Sequence, residues 1–501
     1  MELGLQCKDI CYYEPTGGIT SAHEESLETA IPEYCPDITR VVDTTGRLII
    51  REKVLHEERC TVSGSVKMTV LYTSEEATGL RSLSMSVPFS CTIDDRALER
   101  CGAVCASGRV LLAEARAITS RKLYMKALPE ITLVGYRSVK RRICCGTQEE
   151  PTLRSRYGRL EMTLLSTVSE KGFSFTQDVL LEKGQAPEDL LLHRLCPAIV
   201  SAQRLGNKLM VKGEIWLSAL YRGEDQVLRQ YTDTLPFSQI LEAAELPETA
   251  EYTLRPSIGE CDVRLLRTEN GCGFGLTARI DVCVLAYQRW EGTLLEDVYS
   301  IRYDTAVERQ AQVFQMAEPE RMAEREAQLR LEFQGHEPFI SVTGVECAPV
   351  EVLPEEGKTT LRTTLHVRLL YLDESGAPVS TERTAEVSTE VESVSGAVTA
   401  CCCCCRSQLQ WSGDTCLIRL PVTFCMGCGG EKTVDSIVAV NLTEPDSAPM
   451  PSLVLCRMAP QETLWDVAKR YRTDEEAIRS ANQLENDAEA GKRMLLIPRI
   501  R

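Results

Sequence analysis

One alternating stretch occurs three times along this chain and limits what the chain can fold into. It reads CTVSGSVKMTVLY at 60–72, LMVKGEIWLSALY at 209–221 and TLRTTLHVRLLY at 360–371. Apolar and polar side chains alternate in each copy up to a terminal Tyr72, Tyr221 or Tyr371, and a period of two is that of a half-buried β-strand. The copies are about 150 residues apart, which is typical of whole repeated domains. The sequence therefore predicts three repeated β units.

Smaller features recur around this stretch. Gly64 and Gly213 hold the same register, where a glycine indicates a bulge or a close backbone approach, whereas the third copy has Thr363. Short alternating runs broken by turn residues fill the rest, as in β-sandwiches. We expect a mainly β protein of tandem β-sandwich-like units at 1–152, 153–305 and 336–445. AEPERMAEREAQLRL at 317–331 predicts a helix inside a linker at 306–335.

The last fifty or so residues follow a different pattern. Thr463 and Asp466 have the spacing of a helix capping box, and Thr473 with Glu476 predicts a second helix that starts in the same way. A short apolar run lies on either side of the two helices. The sequence predicts a small βααβ domain at 450–501, with Trp465 inside the first helical turn as a core residue.

Composition and charge exclude several classes of function. The formal net charge of −17 repels phosphate backbones, so no nucleic-acid partner is expected. The first residues show no signal-peptide pattern, and no apolar run is long enough for membrane insertion. The five histidines are scattered, and P-loop and nucleophile-elbow motifs are missing. We expect a cytosolic protein that is not an enzyme and needs no cofactor.

Five consecutive cysteines, Cys401 to Cys405, need a separate explanation. The strand phase set by Leu409 and Trp411 predicts that the odd-numbered three are buried and that Cys402 and Cys404 face water. Neighbours within one strand are poorly placed for disulfides. The run therefore reads as strand filler in a reducing cytosol, and Cys402 and Cys404 are candidate thiols for cross-links to other chains.

A second cysteine pattern gives the best metal signal in the chain. Cys425 and Cys428 have the CxxC spacing of one zinc knuckle. Zinc needs four ligands, usually from two knuckles, and the only further thiols near them in sequence are Cys416 and the cysteine run. Cys425 and Cys428 are therefore weak candidate ligands, and no metal is predicted.

Several motifs resemble the SPOCS domain (DUF3794), which occurs in proteins that assemble the endospore coat. They are PEYCPDITRVVDTTG at 32–46, the glycine-centred strand that ends in Leu-Tyr, the Pro-Phe pair after it, and EDVYSIRY at 296–303. The resemblance covers residues 25 to 445 as tandem copies, the last of them divergent. It implies a role in sporulation and in the spore coat.

The C-terminal domain resembles a LysM domain. ETLWDVAKRY, EEAIRSANQL and AGKRMLLIP match its first helix, second helix and last strand. The family's ligand surface lies in the loops before the first helix and after the second. Carried over, this surface consists of Gln461, Glu462, Thr463, Leu484, Glu485 and Asn486. The family usually has Gly-Asp where this chain has Gln461-Glu462.

SPOCS repeats followed by LysM are similar to morphogenetic proteins of the spore coat. The resemblance implies a non-enzymatic scaffold in the mother-cell cytoplasm, at the forespore surface. It implies that LysM binds stage IV sporulation protein A, the ATPase that polymerises there, and that the β repeats recruit other coat proteins. The alternative is a peptidoglycan-binding protein whose LysM domain holds N-acetylglucosamine.

Overall fold

The structure is a computed structural model that describes residues 2–75, 79–333, 338–392, 397–445, 453–484 and 486–498. Antiparallel strands make up most of it, which confirms the mainly β fold. The two α-helices of the described ranges lie in the C-terminal module. No helix in these ranges is long and apolar enough to cross a membrane.

The first unit is built from eight strands in two sheets. They are β1 (Leu5–Pro15), β2 (Ile19–Ala22), β3 (Glu25–Ala30), β4 (Arg40–His56), β5 (Arg59–Thr73), β6 (Leu80–Asp94), β7 (Cys101–Thr119) and β8 (Lys122–Thr147). Strands β4, β5 and β6 form one sheet, called the meander sheet. Strands β1, β2, β3 and β7 all pair with β8 in a second sheet, called the long-strand sheet.

The second unit has the same order with fewer interruptions. Its strands are β9 (Leu153–Leu180), β10 (Pro187–Leu205), β11 (Lys208–Gly223), β12 (Leu228–Glu242), β13 (Glu251–Thr268) and β14 (Gly271–Ser300). The meander sheet is β10-β11-β12, and the long-strand sheet is β13-β14-β9. The single strand β9 therefore takes the place of β1, β2 and β3.

The third unit repeats this plan with more breaks. Its strands are β15 (Asp304–Ala317), β16 (Arg321–Glu332), β17 (Ile340–Cys347), β18 (Glu351–Glu355), β19 (Lys358–Leu372), β20 (Pro378–Glu392), β21 (Ala397–Cys403), β22 (Gln408–Ser412) and β23 (Thr415–Thr443). Strands β17, β18 and β20 pair with β19 in the meander sheet. The other four pair with β23.

The helix expected at 317–331 is wrong. Residues Arg321–Glu332 form strand β16, which pairs along its whole length with β23, and β15 pairs with β23 as well. Ala327 is buried, and Leu329 and Leu331 are half-buried on the same face, against the core of the third unit. Backbone hydrogen bonding to β23 thus outweighs the helical propensity of the charged residues in this stretch. The stretch is part of the third unit rather than a helical linker.

The two sheets of each unit enclose one apolar core. The repeated stretch forms the central strand of each meander sheet, as β5, β11 and β19, and its inward face packs on the long strand. Tyr72 and Tyr221 are fully buried, whereas Tyr371 is half-buried with its ring centroid 5.8 Å from that of Phe333. The alternation read from the sequence therefore marks the core face.

The recurring glycine has a steric reason. Gly64 lies opposite Phe89, and Gly213 lies opposite Phe237, in each case beside a bulge of the neighbouring strand. A side chain at either glycine would collide with a backbone carbonyl and with the phenylalanine ring. In the third unit the neighbouring strand is interrupted between β17 and β18, and the Thr363 hydroxyl donates to the Ala348 carbonyl at 2.8 Å. The interruption makes room for the threonine.

The three units form a closed ring. In the first unit, β4 lies against β13 of the second, where Arg47 donates to the Gly259 carbonyl at 3.1 Å. In the second, Cys196 of β10 is joined by a disulfide to Cys405, just after β21 of the third. In the third, Cys347 of β17 accepts a hydrogen bond through its carbonyl from Arg109 of β7 in the first, at 2.8 Å. Equivalent edges therefore meet in cyclic order, as in a heterologous trimer that closes.

Apolar clusters shared by all three units fill the ring. The leucines that precede the three tyrosines, Leu71, Leu220 and Leu370, are buried together in one cluster. A second cluster joins Ile143 of β8, Leu160 of β9 and Phe314 of β15. In the Leu-Tyr pair, the tyrosine therefore faces its own unit and the leucine faces the other two.

The C-terminal module has the predicted βααβ order. It consists of β24 (Leu453–Cys456), α1 (Leu464–Tyr471), α2 (Glu475–Asn482) and β25 (Leu495–Pro498), with β24 antiparallel to β25. The capping box of α1 is present, but the expected cap at Thr473 is wrong. Asp474 is the N-cap residue of α2, and the buried Thr473 donates instead to the Pro498 carbonyl at 2.6 Å.

Candidate binding surface of the C-terminal module

The first candidate loop ends in the capping box of α1. The Thr463 hydroxyl accepts from the Asp466 amide at 3.3 Å, and the Asp466 carboxylate accepts from the Thr463 amide at 2.9 Å. The hydrogen bond from Thr463 holds the pKa of Asp466 below its usual value. Gln461 has a positive φ of 72°, and its side chain is exposed. Gln461 and Thr463 are therefore presented to solvent on a fixed backbone.

Glu462 is partly withdrawn from this surface. One of its carboxylate oxygens forms an ion pair with Arg470, and the other accepts from the Ala459 amide at 2.9 Å. Its side chain is only 8% exposed. Glu462 thus closes the loop onto α1, and its carboxylate has little capacity left for a ligand.

The second candidate loop follows α2. Gln483 ends the helix with a left-handed φ of 47°. Asn482 fixes the chain beyond it, because its side-chain oxygen accepts from the Leu496 amide at 2.7 Å and its amide donates to the Ile478 carbonyl at 2.8 Å. Leu484 is half-buried in the apolar cluster that contains Leu464 at the start of α1.

The end of this loop is more exposed to solvent than Leu484. Asn486 is exposed and makes no capping hydrogen bond through its side chain. Glu485 lies outside the described residues. Gln461, Thr463 and Asn486 are therefore the exposed members of the predicted set, while Glu462 and Leu484 support the loops from inside.

The opposite face of α1 is docked on the β body through Asp297 of β14. Asp297 is buried, and its carboxylate accepts from Trp465 Nε1 at 2.8 Å, from Lys469 Nζ at 2.8 Å and from Arg309 Nη2 at 3.1 Å. Burial alone would raise the pKa of Asp297, but the hydrogen bonds from Lys469 and Trp465 outweigh it, and the pKa lies below its usual value. A charged Asp297 thus joins the module to the second and third units.

Aromatic packing and further ion pairs extend this contact. The rings of Tyr299 and Trp465 meet edge to face with centroids 4.8 Å apart, and the Tyr299 hydroxyl donates to the Thr473 carbonyl at 2.8 Å. Arg154 forms an ion pair with Asp474 at the start of α2, and Arg472 forms one with Asp304. Trp465 is buried as predicted, but much of what covers it comes from another domain.

The sequence pattern alone assigns no role to these contact residues. EDVYSIRY at 296–303 resembles a family motif, and its Asp297 and Tyr299 form the centre of the contact. A conspicuous Asp-x-Tyr at a strand end was the available signal. Since the hydrogen bonds and ion pairs described for Glu462 and Thr463 stay within the module, docking through the other face leaves the first candidate loop accessible.

The predicted exposure of the cysteine run is wrong. Cys401 and Cys403 are exposed, Cys402 is half-buried, and Cys404 is buried. The strand phase set by Leu409 and Trp411 does hold within β22, but it does not extend back to β21. Between Cys403 and Gln408 the chain has one residue more than the opposite segment of β23. This bulge reverses which side chains face the core.

The same irregularity recurs in the other units, between Val110 and Leu112 in β7 and between Ile258 and Cys261 in β13. Cys402 and Cys404 are therefore not the outward thiols, and Cys405 is bonded to Cys196. The surface thiols of the run are Cys401 and Cys403.

The structure does not form a zinc knuckle at Cys425 and Cys428. Both lie within the continuous strand β23, where residues three apart point to opposite faces, and Cys428 is buried while Cys425 is opposite Cys401. Among the described residues, no group of three or more His, Cys, Asp or Glu side chains is placed to hold a metal ion.

Comparison with protein families agrees with this architecture. Residues 37–104 match the family model described as SipL, SPOCS domain, and residues 459–495 match that of the LysM domain. The first match spans the meander sheet of the first unit, and the second spans both candidate loops. Neither the curated proteins nor the solved structures give a significant match. The combination of a SPOCS domain with a C-terminal LysM domain is therefore confirmed, and it indicates a protein related to the spore coat.

Proposed function

We propose that this chain is a non-enzymatic scaffold of endospore coat assembly, acting in the mother-cell cytoplasm at the forespore surface. Its LysM module anchors it to the ATPase that polymerises there, stage IV sporulation protein A, and its ring of β units recruits other coat proteins. The two family matches support the setting, and neither family is named for a catalytic activity.

The observation that carries the proposal is the orientation of the module. Trp465 and Lys469 hold α1 on the body through Asp297, and Gln461 and Asn486, one described residue from each loop, remain exposed. An adaptor needs a rigid connection on one side and a free surface on the other, because preorganisation reduces the entropy lost on binding.

The alternative, binding of N-acetylglucosamine in peptidoglycan, concerns the same loops. The acidic position that the family places before the helix is occupied by Glu462, whose carboxylate is engaged by Arg470 and the Ala459 amide. This internal pairing leaves fewer polar groups for a sugar and favours a protein partner.

Binding by the full-length chain separates the two functions. Gln461→Ala with Asn486→Ala removes two exposed side chains, neither of which makes a capping hydrogen bond, so folding should be unaffected. Glu476→Gln, at an 85% exposed side chain of α2 outside both loops, is the matched control. We expect the double variant to lose at least tenfold in affinity for the purified ATPase and the control to lose none.

Cosedimentation with purified peptidoglycan tests the alternative on the same variants. Retention of ATPase binding by the double variant would refute the assignment of the loops. Binding to peptidoglycan that the double variant abolishes, without binding of the wild type to the ATPase, would support the alternative function.

A further inference from the structure

Two cysteines meet across the boundary between the first and second units. Cys105 lies in β7 and Cys283 in β14, 178 positions apart in the chain, and their Sγ atoms are 2.8 Å apart. A disulfide has a sulfur–sulfur distance of about 2.05 Å. A relative movement of about 0.8 Å therefore converts this contact into bonding distance.

The surroundings of the pair keep it in place while leaving it reachable. Tyr136 and Tyr287 are buried beside it in an apolar cluster that includes residues of both units. Cys105 and Cys283 are each half-exposed, so a small reagent can reach them. The contact is thus built into the junction of two units.

The two thiols differ in acidity. The hydrogen bond from Cys283 lowers the pKa of Cys105 against the opposing effects of burial and of the Glu170 charge, and Lys53 and Arg255 contribute less to the same lowering. The same hydrogen bond raises the pKa of Cys283. Since the thiolate is the reactive form, Cys105 is the first nucleophile and Cys283 is the thiol that resolves the intermediate.

We propose that Cys105 and Cys283 form an oxidant-reactive pair, which thiol–disulfide exchange with a small-molecule disulfide converts into a covalent bond between the first and second units. The Cys105 thiolate attacks one sulfur of the reagent, the reagent's sulfur–sulfur bond breaks, and one thiolate leaves. Cys283 then loses its proton and attacks the Cys105 sulfur of the mixed disulfide, releasing the second thiolate. Two protein thiols are oxidised, and one reagent disulfide is reduced to two thiols.

This bond would complement the one between Cys196 and Cys405. That disulfide joins the second unit to the third, so the two together would fasten the second unit to both neighbours. A bond that closes a loop of 178 positions removes much of the freedom of the unfolded chain. Oxidation would therefore set the ring in its closed form.

Oxidised glutathione tests the proposal on the full-length chain. The protein is reduced with dithiothreitol, freed of it, incubated with oxidised glutathione, quenched in acid, alkylated and digested for mass spectrometry. We expect the peptide that links Cys105 to Cys283 to become the main form of both residues. Cys272, a half-exposed thiol on the same strand β14, should acquire glutathione without forming a link.

Two variants check the order of attack. Cys283→Ser, whose hydroxyl can still donate to the Cys105 thiolate, should trap Cys105 as a mixed disulfide with glutathione, whereas in Cys105→Ser burial still raises the pKa of Cys283 and the adduct on Cys283 should form more slowly. Oxidation should raise the midpoint of thermal unfolding more in the wild type than in Cys105→Ser, since both retain Cys196 and Cys405. Recovery of Cys105 and Cys283 in the wild type as unlinked thiols, or as separate glutathione adducts, would overturn the proposal even if neither variant folds.

Discussion

Replacing Asp297 with Asn should release the LysM module from the β body. The carboxylate is 8% exposed and accepts from Trp465 Nε1, Lys469 Nζ and Arg309 Nη2 within 3.1 Å. Asparagine keeps the volume, but it loses the charge and turns an N–H group toward these donors. The change therefore isolates the electrostatic part of the contact.

The size of the effect follows from burial. Removing one partner of a buried ion pair costs about 3–5 kcal/mol. Lys469 and Arg309 are 35% and 39% exposed, so water recovers part of their solvation. We expect the free energy of docking to fall by about 2–3 kcal/mol, or about 30- to 150-fold in the docking equilibrium.

Hydrogen exchange of α1 and of the end of β14 measures this change in the full-length chain. Amides buried by docking should exchange faster by that factor. Asp435→Asn, which changes an exposed carboxylate on β23, is the matched control and should leave exchange unaltered. Adding Lys469→Met to Asp297→Asn should cost less than it does alone, because the ammonium no longer faces an amide.

Acid should reproduce the effect in the wild type. The folded pKa of Asp297 lies below its unfolded value, so its contribution is complete above about pH 4 and is lost as the pH falls through the folded pKa. The Asn variant should lack this component. If exchange in Asp297→Asn stays within about twofold of the wild type, which is about 0.4 kcal/mol, the Asp297 cluster does not hold the module and the reasoning is refuted.

Three further predictions concern the β units. Leu220→Ala should lower the free energy of unfolding by about 3 kcal/mol, and calorimetry should show one transition shared by all units. Val200→Ala, at a 71% exposed side chain, is the control and should have little effect. A separate transition of the second unit would contradict the shared core. Burial, with the charges of Lys67 and Arg47, lowers the pKa of His193 to about 4, so the unfolded chain binds a proton first as the pH falls. Stability should therefore drop by about 2 kcal/mol between pH 7 and pH 5, and denaturant titration should find this loss missing in His193→Gln. In thiol labelling of the native protein, Cys401 should react faster than Cys404, because a hydrogen bond from Cys425 lowers the pKa of the exposed Cys401 whereas burial raises that of Cys404 to about 12. Cys404 should react only after denaturation, and equal rates would contradict the described exposure.

Local rules located several parts of the candidate site. The capping box of α1 was predictable, because Thr463 and Asp466 satisfy each other's backbone groups within one helical turn. The same rule fails at Thr473, because the Thr473 hydroxyl donates to the carbonyl of Pro498, a residue distant in sequence, and does not cap the helix. The failure in the cysteine run has a comparable cause: a single extra residue before Gln408 inverts the phase, and only pairing with β23 reveals it.

The alternation of side chains indicates three β units, because the apolar positions of a half-buried strand recur every two residues whichever strand it pairs with. The capping-box spacing at Thr463 indicates the first helix of the C-terminal module. Tertiary structure alone decided that residues 321–332 are a strand, since the free ladder of β23 outweighs their helical propensity. It also decided that the units close into a ring around Leu71, Leu220 and Leu370, and that Asp297 holds the LysM module. These contacts join residues that are distant in the chain, and a sequence pattern reports which face of a strand is apolar but not which partner covers it.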